Sequence, residues 1–335
     1  MSNHSSSPHA DEESPAVPLT QSGREGRSQR YSPRSAPTAQ CFGRLNAGIA
    51  DREGETSVTE EQSVPAATGN VPGPLCEEHP DLAAALEAGR ITGEVGTPRE
   101  NNLSHIHRFL DQERQFDFGV ALTQEWDYAK IFALMVEKVG LRPDPAFTEG
   151  VDTISTERCI AALARFGDVL GSAVAAEARI LFATGHPGGM LPVHMAFAQW
   201  AAAHGAEVVA PDGYIAVPDI GGDLRRISGV WVWHQHGGVP HTHLAEPMAA
   251  LLDELTTRGE EAPDLVVADH GWAGCAGTRG IRSIGFADCN DPALFVAEAQ
   301  GQVEVSVPLD DDVVPQLYQP LIDFVLDTAA GHLDN

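Results

Sequence analysis

Apolar residues recur at spacings of three and four along three stretches of the first half of the chain, and the pattern then changes to short apolar runs broken by polar turns. The helical spacing covers residues 80–86, 125–139 and 155–176, each with one apolar stripe. Asp152-Thr153-Ile154-Ser155-Thr156-Glu157 is rich in capping residues and predicts the start of the third helix. Residues 97–102 are polar and read as a loop.

After Glu177 the rhythm becomes strand, turn, helix. Residues 179–184 predict a buried strand, 191–204 a helix and 207–210 a short strand. Residues 214–217 and 227–233 predict a hairpin across Ile220-Gly-Gly-Asp223, and 246–258 a helix. Strands at 264–269, 281–287 and 302–308 then alternate with a short Gly/Ala-rich helix, a helix at 292–299 and a closing helix at 312–329. Apolar strands alternating with helices imply a mostly parallel sheet covered on both faces. The expected fold class is therefore α/β and doubly wound, Rossmann-like or flavodoxin-like. The organisation expected is a disordered segment at 1–75, a helical subdomain at 76–176 and an α/β domain at 177–335.

Composition supports the first boundary. Residues 1–75 are dominated by Ser, Pro, Gly, Glu, Arg and Gln and carry too little apolar surface to offset chain entropy. They lack the apolar core of a signal peptide, and no stretch reaches the roughly 18 apolar residues that span a bilayer, so a cytoplasmic location without membrane partners is expected. Five cysteines, odd in number and widely spaced, read as free thiols. The net charge of −27 argues against nucleic acid as a partner, since no local basic patch stands out in the sequence. Nothing in the pattern fixes an oligomeric state.

The candidate chemistry gathers in two places. Between Trp233 and Glu246 lie His234, His236, His241 and His243, two His-x-His pairs on either side of Gly237-Gly238. In extended chain each pair aims two imidazoles at one point, which suits a divalent metal or an anion; a water-solvated turn is the plainer alternative. In a doubly wound sheet the site lies at the carboxyl ends of the strands. There the chain carries Thr184-Gly185-His186-Pro187-Gly188-Gly189, Asp269-His270 and Asp288. Gly185, Gly188 and Gly189 ahead of a helix suit a phosphate or carboxylate cradle. Asp269, His270 and Asp288 with His241 and His243 would make a mixed nitrogen and oxygen site, with a divalent metal as cofactor. Without a metal, His270 and Asp269 form an acid/base pair with His186 as acid, electrostatic stabiliser or nucleophile.

Several phosphatase chemistries are excluded. Cys275 to Arg279 is too short for a Cys-x5-Arg loop, and no Gly-x-Ser-x-Gly elbow occurs. Too few strands follow His241 and His243 for an amidohydrolase-like barrel. Asp310-Asp311-Asp312 imitates the nucleophile motif of haloacid-dehalogenase-type enzymes but falls on the last strand, and reads as a helix-capping cluster. Asp291 before Pro292 likewise reads as an N-cap.

Several strings occur together: Thr184–Gly189, His241-Thr242-His243 with Glu246-Pro247-Met248, residues 268–274, residues 285–294, and Gly93-Glu94-Val95 with residues 97–103. In this combination the chain resembles, over about residues 88–328, a family of actinobacterial proteins labelled generically as phosphatases. The resemblance implies hydrolysis of a phosphoester but no particular substrate; the polar groups gathered at the strand ends lead to a small phosphorylated metabolite as the expected one. It favours His241 and His243 over His234 and His236. It also draws Arg99, Asn101 and Asn102 toward the site as a phosphate-holding cap, with Asn290 and Asp291 as substrate contacts. A non-catalytic module binding a nucleotide or sugar phosphate remains the alternative on the residues alone.

Overall fold

The computed structural model describes residues 73–333. The disorder expected for residues 1–75 falls outside them, except that Pro74 and Leu75 already belong to the first helix.

The first half holds α1 (Pro74–Glu78), α2 (Pro80–Ala88), β1 (Gly93–Pro98), α3 (Arg99–Leu110), α4 (Tyr128–Lys138), β2 (Val151–Ile154) and α5 (Thr156–Ala175). Ser155 caps α5 through the Arg158 amide, as its sequence predicts. Next come β3 (Arg179–Ala183), α6 (Leu191–Ala203), β4 (Glu207–Val208), β5 (Ile215–Ala216), β6 (Asp223–Ile227), β7 (Val230–His234) and α7 (Glu246–Arg258). The last part is β8 (Leu265–Asp269), α8 (His270–Thr278), β9 (Ser283–Ala287), α9 (Pro292–Ala299), β10 (Val305–Pro308), a 3-10 turn (Pro315–Tyr318) and α10 (Gln319–Ala330).

The main sheet runs β10-β9-β8-β3-β7-β6-β5. Its pairs are parallel from β10 through β7, and β6 and β5 finish it antiparallel. Ile180 pairs with Leu265 on one side and Val208 on the other, so β4 and β7 follow one another along the same edge of β3. The chain therefore leaves β3 on that side and crosses through α7 to β8 on the opposite side. Such a reversal opens a crevice between the carboxyl ends of β3 and β8.

The expected hairpin is a three-stranded meander instead. Asp223-Leu-Arg-Arg-Ile227 alternates too weakly to signal a strand, yet it pairs along its whole length with β7. Ser228 and Gly229 close that turn with φ of 49° and 92°, a left-handed pair that matches the strand twist.

Alternation along β3 sends Leu181 and Ala183 into a core with α3, α4, α7, α8 and α9. Ile180 and Phe182 enter a second core with α2, α5, α6 and α10. No packing boundary falls at residue 176. The ring of Phe166 of α5 packs at a tilt 4.8 Å from that of Phe286 of β9 and 5.6 Å from that of Phe197 of α6. A Cβ at Gly171 would overlap the backbone of Ala329, so that glycine is what lets α10 pack against α5. The apolar face of residues 155–176 covers the sheet, and the described residues fall within one compact unit.

The expected loop at 97–102 is also ordered differently: it is the end of β1 and the first turn of α3. β1 pairs antiparallel with β2 and brings residues 96 and 97 to the carboxyl edge of the main sheet. Cys76, Cys159, Cys275 and Cys289 are free and buried, while Cys41 lies outside the described residues. Among the described residues no helix is long and apolar enough to cross a membrane.

Candidate active site

The crevice between β3 and β8 is built around Asp269, the last residue of β8, which has no solvent exposure. Its Oδ1 accepts the Gly185 amide at 2.6 Å and meets His270 Nδ1 at 3.1 Å. Its Oδ2 accepts the Thr184 hydroxyl and meets His194 Nε2 of α6 at 3.2 Å. Both oxygens are thus turned away from the crevice, and Asp269 orients His270 instead of facing a ligand. Burial opposes its charge, but His194 and His270 hold the carboxyl well below the usual carboxylate range.

His270 opens α8 in the left-handed region, with φ of 45°. For a residue with a Cβ this costs about 1–3 kcal/mol and persists only where surrounding contacts enforce it. Its Nε2 lies 3.1 Å from Asp311 Oδ2 and 3.3 Å from Asp291 Oδ2. His186 lies with its Nδ1 3.2 Å from Asp311 Oδ1 and its Nε2 3.3 Å from Asp312 Oδ1.

Glycines bring the remaining loops in. A Cβ at Gly185 would overlap the Thr242 carbonyl oxygen, and one at Gly271 the His243 carbonyl oxygen, so residues 242 and 243 are seated between the two strand ends. The Thr242 amide donates to the Gly185 carbonyl at 2.8 Å. Thr242 is buried, and the rings of His241 and His243 meet at 4.6 Å, as an extended His-x-His predicts. His241 stacks on His186 at 4.2 Å and His243 on His270 at 4.4 Å, while Phe118 meets His243 and His270 edge-on.

The four imidazoles divide electrostatically. Burial pulls His186 down, but Asp311 beside it pushes it up to about 9. His270 is driven the same way, well above its ordinary value, by Asp311, Asp269 and Asp291 against burial. Burial and then the charge on His270 bring His241 and His243 down to about 4. These two therefore present neutral nitrogens at pH 7. Asp311 is held well below the carboxylate range by His270 and His186 despite its burial.

The structure gathers His186, His241, His243, His270 and Asp291 from the sequence-predicted set. One ligand-type atom from each of His186, His241 and His270 lies within 4.8 Å of the others, and His243, His270 and Asp291 form a second such group. Of the mixed metal site expected from sequence, His241, His243 and His270 belong to these groups, and Asp269 and Asp288 do not. Asp269 is committed to its four donors, and Asp288 accepts the Thr97 hydroxyl and the Cys289 amide. Burial and the charges of Asp311, Asp310 and Asp291 hold the Asp288 carboxyl well above the usual range. Asp291 occupies the N-cap position of α9 without capping it; its carboxylate turns to His270 instead.

Other expectations are relocated. The Arg99 guanidinium has no exposed surface and is bound to Asp152 at 2.8 Å and to the Phe147 and Asp144 carbonyls. Asn102 joins the same carboxylate at 3.0 Å and accepts from the Cys289 thiol. Asn101 is exposed on α3, and the Asn290 carbonyl meets His105 Nδ1. Gly185 and Gly189 admit protein backbone, Thr242 and Asp311 respectively, and only Gly188 borders open space. His234 is paired with Asp223 at 2.8 Å, and neither it nor His236 joins a ring contact with the cluster.

Sequence reasoning missed Asp311 and His194. Asp311 follows the carboxyl end of β10, the position that singled out Asp269 and Asp288, but three consecutive aspartates looked like a cap. The 3-10 turn that follows has no side-chain cap at all. His194 sits mid-helix, fully buried, and only the tertiary contact with Asp269 reveals it.

These features define an α/β protein with a mostly parallel sheet and an imidazole and carboxylate centre at its switch point. A family model described as Phosphatase matches residues 77–332. The chain is 45% identical over 264 residues to phosphatase SCO2771 of Streptomyces coelicolor, an alignment covering 78% of this chain and 99% of that protein. The chain belongs to this phosphatase family and is a phosphatase-type hydrolase.

Proposed function

We propose that the chain is a phosphomonoesterase acting on a small phosphorylated metabolite, with a divalent cation held by the histidine cluster. The observation that carries this reading is a pair of buried atoms without hydrogen-bond partners, His186 Nδ1 and Asp311 Oδ2. Each lies 3.1–3.2 Å from another ligand-type atom without hydrogen-bonding geometry. Ligands about 2.1 Å from one cation stand about 3.0 Å apart at a right angle and about 3.4 Å apart at the tetrahedral angle. The observed spacings fall between these limits.

His186, His241, His243, His270, Asp291 and Asp311 would hold the cation, which would supply Lewis acidity toward a phosphoryl oxygen. Asp269 and His194 fix the ring of His270, as carboxylate partners of ligating histidines commonly do. The Gly188 and Gly189 amides, which make no hydrogen bond to another described residue, are left for a phosphate oxygen. With β4 and β7 counted as one position along β3, the parallel strands run 2-1-3-4-5, which supports the flavodoxin-like form of the doubly wound fold.

A metal-free reading has one observation in its favour. Carboxylates flank both nitrogens of His186 and of His270, an arrangement that also suits two imidazolium ions, whose charge rather than their N–H groups would attract a phosphate. One experiment separates the two. The purified chain is assayed on a panel of small phosphomonoesters before and after chelation, with divalent ions then restored. Phosphate release that chelation abolishes and a divalent ion restores supports the metal-assisted reading; release indifferent to chelation supports the imidazolium pair. No release from any monoester under any condition refutes both.

A further inference from the structure

We infer that the chain carries a second anion site, a pocket for a phosphate-class dianion on the outer edge of the sheet, built by residues that take no part in the histidine cluster. A cavity of about 220 Å³ lies there, lined among others by Lys138 of α4, Arg158 and Arg165 of α5, Glu298 of α9 and Pro308 of β10. The chain has two lysines and a net charge of −27, so a lysine and two arginines around one cavity are a concentration of positive charge that the sequence does not reveal.

Two of the three cations are arranged by a buried carboxylate. Glu298 has a side chain 7% exposed, and its Oε1 receives both Arg165 Nη2 at 2.9 Å and Lys138 Nζ at 3.7 Å. Its Oε2 accepts the Ser306 amide of β10 at 3.0 Å. One carboxylate therefore positions two cations while neutralising one charge. Each cation keeps further N–H donors free, since a guanidinium has five and an ammonium three.

Arg158 is the telling residue. Among the described residues its guanidinium forms no ion pair, hydrogen bond or ring contact, although the chain is rich in carboxylates. It lies so close to Gly140 that a Cβ there would crowd its Nη1. Glu137 stands exposed on the wall, which leaves three positive groups against two negative ones.

The ligand class follows from this chemistry. A guanidinium fork, a second guanidinium and an ammonium favour a compact oxyanion of charge two over a carboxylate of charge one. The cavity volume accommodates a phosphate or a small phosphomonoester. Inorganic phosphate, the product of any phosphatase, is the simplest member of the class. Pro308 on the wall lies two residues before Asp310, so an occupant would rest against the strand that carries Asp311 to the catalytic crevice.

Equilibrium dialysis of radiolabelled inorganic phosphate against the full chain tests the site. The unaltered chain is expected to bind phosphate at two classes of site. Arg158→Ala should weaken one class about tenfold or more, because it removes charge-assisted hydrogen bonds, and should leave turnover within about twofold. Arg158→Lys, which keeps the charge, should retain most of the binding. An Arg158→Ala isotherm that superimposes on that of the unaltered chain overturns the proposal. Should Arg158→Ala fail to fold, Arg158→Gln, which keeps the aliphatic stem, replaces it under the same criterion. Loss of phosphate binding at the histidine cluster alone would count against the proposed function and leave this site standing.

Discussion

Replacing Asp269 with asparagine removes one charge and one acceptor from the centre of the crevice. The carboxylate meets four groups: the Thr184 hydroxyl, the Gly185 amide, His194 Nε2 and His270 Nδ1. The Gly185 amide can only donate, so the asparagine oxygen must stay on its side and the new NH2 must face Thr184 and His194. Thr184 can rotate its hydroxyl, and His194 can turn Nε2 into an acceptor by moving its proton to Nδ1, which has no partner. The four contacts survive in weakened form. Each falls from about 2 to about 1 kcal/mol when the charge is lost, for a total near 4 kcal/mol. At about 2.1 cal/mol/K for each of the 261 described residues, that lowers the Tm by about 7 °C. His270 loses the charge that fixes its ring and proton, and turnover should fall about 10- to 100-fold, the range seen when partners of metal-ligating histidines are altered. Calorimetry and initial-rate kinetics on Asp269→Asn measure both effects. A Tm within about 2 °C of the unaltered chain together with turnover within about twofold would refute the assignment of Asp269 as the hub.

Further outcomes follow from the same geometry. Gly189→Ala places a Cβ against the Asp311 carbonyl oxygen and displaces that loop; since misplacement by about 1 Å costs about 100-fold, initial rates should fall by that order while the far-UV circular dichroism stays unchanged. Arg99→Ala strands the Asp152 carboxylate in the interior and should destabilise by about 3–5 kcal/mol in urea unfolding, with KM within about twofold in the fraction that remains folded. His234→Ala breaks only the pair with Asp223 and should leave turnover within about twofold, as an activity assay would show.

The sequence exposed the parts of the molecule whose signal is local. Runs of four non-polar residues located β3, β8 and β9, and the strand-end rule then pointed to His186, Asp269 and His270 in the crevice where the structure places them. The His241-x-His243 spacing predicted convergent rings because an extended chain has a period of two. What stayed hidden was long-range. Asp269 and Asp311 are both strand-end aspartates, yet one faces inward to orient a histidine and the other faces the cluster, a distinction made by His194 and Thr184 from other elements. The resemblance draws Arg99 toward a phosphate, but its guanidinium is bound to Asp152, 53 residues away across the small β1–β2 sheet. The glycines follow the same rule. Gly185 and Gly189 do permit close approach, but the approaching groups are other loops of the same chain.

Metal content is the most direct measurement. The chain is purified without chelator and analysed by inductively coupled plasma mass spectrometry, beside His270→Ala, which removes the residue common to both candidate ligand groups. A divalent ion near one equivalent per chain or above, lost in His270→Ala together with phosphomonoesterase activity, is the expected result. A fully active chain that carries no divalent ion would contradict the metal-assisted centre.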